Sequence, residues 1–304
     1  MLDVALLGTG GMMPLPNRFL TGLLLRLNGR MMLIDCGEGM QVTLKQLGWG
    51  FKSIDLICFT HYHADHISGL PGMLLTIGNS GRTEPLVLFG PPGLKAVYKG
   101  LSVIAPELPF EVHLIEAENK DENTLEIGNF RITTRKAEHM IPCLAYSVYV
   151  HRMGKFNVEK ALALNLPKQL WSVIQKEGEV VYGGNLYTAD MVMGDERKGI
   201  KVTYCTDSRP TAGICSLAKD SDLFICEGMY GEEEKLDKAK EHRHMIFSEA
   251  ARLAKESGSR ELWLTHYSPA LTDPNYFLDN AKRIFPNTKA AYDRMNVALD
   301  FEND

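Results

Sequence analysis

Thr60-His61-Tyr62-His63-Ala64-Asp65-His66 places three of the chain's nine histidines and a carboxylate within six residues. The apolar run before it, residues 54–59, reads as a buried strand. Ile67-Ser68-Gly69-Leu70-Pro71-Gly72 after it reads as a turn opening a helix. The cluster therefore sits at the C-terminal end of a strand, where α/β proteins keep their chemistry. Neutral imidazole is the commonest borderline ligand for zinc, and carboxylates complete or bridge the coordination sphere. His61 and His63, two apart, can face one ion where the strand opens into a loop, and Asp65 and His66 can reach a second. A lone histidine is more often a core or surface residue; four such groups in six residues point to metal.

Working outward, the same arrangement recurs. Residues 2–7 read as a first strand, and 21–27 with 30–34 as a hairpin about Asn28-Gly29 that delivers Asp35 to a strand end. Further strands are expected at 85–89, 110–115, 130–136, 144–151, 200–204, 223–226 and 262–265, with a last one around 290–298. Helices are expected at 39–47, from 72, at 93–103, 247–255 and 275–285. Asp207, Glu227 and His266 each follow or end one of these strands, and His139 follows 130–136 more loosely. Six strand ends can thus converge on one site. The hairpin-like returns argue for mixed sheets over a doubly wound parallel sheet. Gly8-Thr9-Gly10-Gly11 suggests a phosphate loop, but no Gly-Lys-Ser/Thr follows, so a tight turn is the better reading.

At 304 residues, 45% hydrophobic and 23% charged, the chain is an ordinary globular one with length for a well-buried core. Its net charge of −5 advertises no polyanion partner, so any nucleic acid would be held by local patches or a second subunit. The six cysteines are scattered without a CxxC pair and read as buried free thiols. No basic n-region and no apolar run of about 18 residues is present, so the expectation is a soluble, cytoplasmic protein with no membrane contact. Residues 152–199 change character. A helical stretch over 155–174 carries Lys155, Lys160 and Lys168, is interrupted by Pro167, and gives way to a hairpin signal at 179–186. This reads as an arm, about residues 152–195, inserted into a single domain of residues 1–304 and projecting from it.

The HxHxDH pattern resembles the signature of the metallo-β-lactamase superfamily. Gly8-Thr9-Gly10, Asp35-Cys36-Gly37-Glu38, Gly69-Leu70-Pro71-Gly72, Phe89-Gly90-Pro91, Glu138-His139, Thr206-Asp207-Ser208-Arg209, Leu264-Thr265-His266-Tyr267-Ser268 and Ala291-Tyr292-Asp293, in that order, resemble the ribonuclease Z family of tRNA 3′-processing endonucleases. The resemblance implies an α/β fold, the αβ/βα sandwich of two mixed sheets with helices outside. It also implies two zinc ions per subunit, although manganese, iron or cobalt would suit the same donors. His61, His63 and His139 would hold one ion, Asp65, His66 and His266 the other, and Asp207 would bridge them. Asp35 would support the cluster loop from behind.

Two cations about 3.5–4 Å apart can share a water, lower its pKa and aim it at phosphorus. Asp65 is placed to take that water's proton, and His244 backed by Glu227 to protonate the leaving 3′ oxygen. Where the family carries His-Glu-Ala-Thr and His-Ser-Thr, this chain has Cys226-Glu227-Gly228-Met229 and His244-Met245-Ile246, so His242 stays open as an alternative donor. Arg18, in the proline-bearing loop 12–20, and Lys155, Lys160 and Lys168 are candidate substrate contacts. The implied partners are precursor tRNA and a second copy of the chain, one subunit's arm holding RNA for the other's site. The competing reading keeps the dinuclear hydrolase and gives it a small phosphodiester or other ester as substrate.

Overall fold

Near-continuous apolar runs such as Leu2–Gly8, Gly22–Leu27 and Leu223–Glu227 bury both faces of the central strands, and two seven-stranded mixed sheets result. The computed structural model describes residues 1–127 and 130–302. In spatial order the first sheet runs Asn296–Leu299, Leu2–Gly8, Gly22–Leu27, Arg30–Ile34, Ile54–Cys58, Leu86–Gly90 and Val112–Glu116. Its last four strands are parallel. The second runs Thr288–Ala290, Leu262–Thr265, Leu223–Glu227, Arg197–Cys205, Cys143–Arg152, Phe130–Ala137 and Glu122–Ile127, with the first four parallel. This is the αβ/βα sandwich that the resemblance implies.

Leu7, Leu24, Leu33, Ile57 and Leu88 pack under the helices Met40–Leu47, Leu70–Asn79 and Leu94–Leu101. The complementary set, Leu6, Leu23, Leu25, Met32 and Cys58, is fully buried on the other face. There the sheets meet through Tyr146, whose hydroxyl donates to the Phe59 carbonyl, and Tyr204, whose hydroxyl lies 3.3 Å from that of Thr21. Helices Ala212–Leu217, Phe247–Glu256 and Leu278–Lys282 cover the second sheet. All six cysteines are unpaired, and five of them are buried.

The parallel registers set the strand ends level: Ile34 opposite Cys58, Cys205 opposite Cys226, and Glu227 opposite Thr265. Four expectations change. Glu122–Ile127 is a strand that polar alternation disguised. Leu236–His242, to which the sequence reading assigns no element, is a helix. Residues 290–298 do not form one strand; Thr288–Ala290 and Asn296–Leu299 join different sheets around Arg294, whose φ is +68°. The expected helix at 275–285 is a 3-10 turn at Pro274–Phe277 followed by the short helix Leu278–Lys282.

His151–Gly199 and the chain end from Phe301 form a second compact unit. It contains helices Val158–Ala163 and Lys168–Glu177 and a hairpin, Glu179–Tyr182 with Asn185–Thr188, turned at Gly183-Gly184. Ala161, Leu166, Ile174 and Val192 make its small core.

Candidate metal centre

Asp35 organises the cluster. It leaves its strand with φ +64°, its N–H donates to the Cys58 carbonyl at 2.8 Å, and its carboxylate is fully buried beneath the loop. That carboxylate accepts the Thr60 N–H at 2.8 Å, the Thr60 hydroxyl at 2.9 Å and a hydrogen bond from His66 Nδ1 at 2.9 Å. Gly37 allows the close approach, since a Cβ there would stand 2.1 Å from the Asp65 carbonyl oxygen. Asp207 and His266 also leave their strands with positive φ, +47° and +57°.

These contacts fix the imidazole tautomers. A carboxylate only accepts, so His66 carries its proton on Nδ1 and leaves Nε2 as a bare lone pair. The Thr60 hydroxyl spends its proton on Asp35, so at 3.0 Å it accepts from His61 Nδ1, and His61 Nε2 is bare as well. His139 Nδ1 faces the Arg243 carbonyl at 3.4 Å, which leaves its Nε2 bare too. All three lone pairs turn inward. His61 Nε2 lies 2.9 Å from His63 Nδ1, His139 Nε2 lies 3.3 Å from the same atom, and His66 Nε2 lies 3.2 Å from His266 Nε2.

Two trios result, His61 with His63 and His139, and Asp65 with His66 and His266, the ligand atoms of each within 4.8 Å of one another. Asp207 stands between them. Its Oδ1 is 3.9 Å from His61 Nε2 and 3.8 Å from His139 Nε2, while its Oδ2 is 3.2 Å from both His66 Nε2 and His266 Nε2. That Oδ2 is buried without a hydrogen-bond donor. Lone pairs converging on one another and on an orphaned carboxylate oxygen repel unless a cation lies among them. Asp35 and Glu227 add two further buried carboxylates. The donor set fits divalent metal.

The electrostatics say the same. Burial acts to lower the pKa of His66, but Asp207 and then Asp35 outweigh it and hold the ring well above its ordinary value: without a cation, Nε2 is driven to take a proton where a metal ion would otherwise supply the positive charge. His61 is pushed well below its ordinary value by burial, with neighbouring His66 acting in the same direction. For Asp65, burial is outweighed by a hydrogen bond with His266 and the charge of His66, and its carboxyl is held well below the usual range. Asp207 is held low against burial by His266, His66 and His61.

Beside the trios, both Glu227 oxygens lie 3.2 Å from His244 Nδ1. Burial opposes protonation of His244, but Glu227 prevails and raises its pKa to about 9. Arg209 holds the loop from behind, donating to the His244 carbonyl and forming a two-pronged ion pair with Glu249. His242 is exposed and lines the cavity, with no carboxylate paired to it among the described residues.

A cavity of about 520 Å³ opens over these groups, lined by His63, Asp65, His139, Asp207, His244 and His266 on its floor and by Met12, Met140, Tyr230, Lys238 and His242 around its mouth. Arg18 is not among its lining residues: its guanidinium donates to the Leu271 and Thr272 carbonyls at 2.7 and 2.8 Å. Lys155, Lys160 and Lys168 lie in the second unit, where Lys160 Nζ donates to the Met193 carbonyl and Lys168 lies over the Trp171 ring. Sequence reasoning missed Gly11, where a Cβ would meet His266 Cε1 at 2.7 Å, and Met12, whose N–H donates to Asp65 at 2.7 Å. The glycine run 8–11 was the available signal. It also missed Lys238 and Tyr230, which carried none.

Residues 2–170 match the family model described as Anti-Pycsar protein Apyc1. A curated relative from Lachnospira eligens, named ribonuclease Z, is 57% identical over 304 residues and covers all of both chains. Human tRNase Z, short form, superposes with a TM-score of 0.69 at 24% identity, over 98% of this chain and 100% of that one. The metallo-β-lactamase fold protein YhfI from Bacillus subtilis gives 0.70 at 20% identity, over 97% and 98%. At those identities the two structures speak for the fold. The family model ends before Asp207, Glu227, His244 and His266, whereas the Lachnospira relative spans them all.

Proposed function

Because the chain belongs to the ribonuclease Z family, and its first half also to the Apyc1 family, we propose that it hydrolyses precursor tRNA endonucleolytically, releasing the 3′ trailer. The substrate rests on the full-length relative, and the observation that carries the hydrolytic chemistry is Asp207 standing between two trios of inward-turned donors, one of its oxygens toward each. In the proposal His61, His63 and His139 would hold one zinc and Asp65, His66 and His266 the other, and Asp207 would offer an oxygen to each. Bound cations at this place would supply Lewis acidity toward a phosphoryl oxygen and acidify a water.

The chain's own groups do the rest. Asp65, ionised and fixed by the Met12 N–H, accepts the proton of the attacking water. His244, whose pKa Glu227 raises, gives its proton to the departing ribose 3′ oxygen. With Nδ1 engaged by Glu227, Nε2 is the atom left to face the cavity. This favours His244 over His242 as the donor.

The arm of residues 152–195 is proposed to help hold the tRNA body in a cytoplasmic homodimer, each arm serving the other subunit's site. Residues 151–199 carry seven Lys and Arg against six Asp and Glu, so the unit has almost no bulk attraction for RNA. Lys155, Lys160 and Lys168 would act individually. No helix among the described residues is long and apolar enough to cross a membrane.

The test is a 3′-extended tRNA transcript incubated with zinc-loaded wild type and His63→Ala. Cleavage by wild type alone, at the end of the acceptor stem, is expected. Turnover of bis(p-nitrophenyl) phosphate with an intact transcript would instead favour the small-substrate reading.

A further inference from the structure

The cavity floor carries the proposed metal ligands and His244, and its mouth is lined by two unlike sets of side chains. Met12 and Met140, each 68% exposed, are apolar. The helix Leu236–His242, which buries Ala239, brings Lys238 and His242, one helical turn apart, to the opening. Lys238 is the one lysine or arginine among the described residues lining the cavity.

Its surroundings keep it available. Asp237, beside it, pairs with Lys240, and Lys235 pairs with Glu232. Lys238 Nζ lies 5.5 Å from the centroid of the Tyr230 ring, a half-apolar bed that positions an ammonium without neutralising it. The helix is also tied to the proton donor, because the His244 N–H donates to the Ala239 carbonyl at 2.8 Å. A phosphate held by Lys238 and His242 is thereby indexed to His244, on the side of the departing 3′ oxygen.

We infer that Lys238 and His242, over Tyr230, form a subsite for the phosphate next to the scissile one on the tRNA-body side of the cut. The inference rests on the proposed cleavage of precursor tRNA. It explains how an acidic chain with a near-neutral second unit grips a polyanion: an ammonium and an imidazole stand where the strand enters the floor. It also separates RNA from small esters, which have no second phosphate to place there.

The experiment compares zinc-loaded wild type with Lys238→Ala, Lys238→Arg and His242→Ala. The substrates are precursors with one-nucleotide and long trailers, and bis(p-nitrophenyl) phosphate. For Lys238→Ala, KM for both precursors should rise about tenfold, the size of one charge-assisted hydrogen bond. Its kcat should stay within about twofold. The slope of log kcat/KM against log salt should become shallower by about 0.7, one phosphate contact on a single strand. His242→Ala should act in the same direction, Lys238→Arg should recover most of the loss, and diester kinetics should not change.

Equal losses on the diester and the precursors would make Lys238 a structural residue and overturn the subsite. Unchanged precursor kinetics would do the same. A penalty that disappears with the one-nucleotide trailer would put the phosphate on the trailer side, against the inference. Wild type that turns over the diester and leaves every precursor intact would remove the parent reading, and this one with it.

Discussion

Asp35→Asn isolates what one buried charge does for the centre. The wild-type carboxylate accepts from Thr60 and His66 at 2.8–2.9 Å, which fixes the His66 proton on Nδ1 and points the Nε2 lone pair at His266 and Asp207. Asparagine has the same shape. Its oxygen can serve Thr60, but its NH₂ then meets His66 Nδ1, which must become the acceptor. The tautomer reverses, the proton moves to Nε2, and the Asp65, His66 and His266 trio loses a donor atom. Replacing such outer partners costs roughly 10–100-fold in metal affinity, or about 1.4–2.7 kcal/mol. The metal-free protein should lose less, because the substitution also thins a cluster of four carboxylates, Asp35, Asp65, Asp207 and Glu227. The assay is competition for zinc against a chromophoric chelator, with melting curves taken with and without metal. A folded variant binding zinc within twofold of wild type would refute the tautomer argument.

Four further outcomes are expected. A general acid works protonated, so kcat should fall as pH rises through the pKa of His244, about 9 without metal and lower beside bound cations; His244→Asn should lose about 10²–10³ in kcat and flatten that limb, and an intact limb in the pH profile would count against the assignment. Glu227→Ala should weaken zinc binding in the chelator competition as well as slow turnover, whereas His244→Ala should only slow turnover, because Glu227 also accepts the Ser208 N–H next to Asp207 at 2.6 Å. Gly11→Ala should displace the His266 ring, lowering metal content and kcat/KM while the urea midpoint moves little. Arg209→Ala leaves Glu249 nearly buried without its partner and should cost about 3–5 kcal/mol in urea unfolding, and Lys at 209 should not restore it, since an ammonium cannot make the two-pronged contact.

Most of the fold was legible because its strands are buried on both faces and bounded by glycine or asparagine turns, as Gly22–Leu27 and Arg30–Ile34 are about Asn28-Gly29. The exceptions share a cause. Glu122–Ile127 is an edge strand whose alternate side chains face solvent, so its composition resembles a loop. Leu236–His242 is partly covered only through Leu236 and Ala239, too little for an apolar stripe. The division of 290–298 depends on Arg294 adopting a left-handed φ that side-chain chemistry does not announce.

At the centre, residue type and spacing suffice to nominate donors, because few other roles bring three imidazoles and a carboxylate into six residues. They do not show how the donors are aimed. Asp35, Asp207 and His266 all leave their strands with positive φ, a conformation costing a non-glycine residue about 1 kcal/mol or more. Glycine would adopt it freely but could bind nothing, so the chemistry requires the strain. Each turn is tied to the neighbouring strand or loop: Asp35 N–H to the Cys58 carbonyl, Ser208 N–H to Glu227, and Tyr267 N–H to the Thr9 carbonyl. The residues that hold these turns are therefore as much part of the centre as its donors. Glu227 belongs to both sets, fixing the turn after Asp207 with one oxygen while both its oxygens face the His244 ring. His244, the proposed proton donor, and the turn after Asp207, the carboxylate proposed to serve both metals, are thus positioned by one buried side chain.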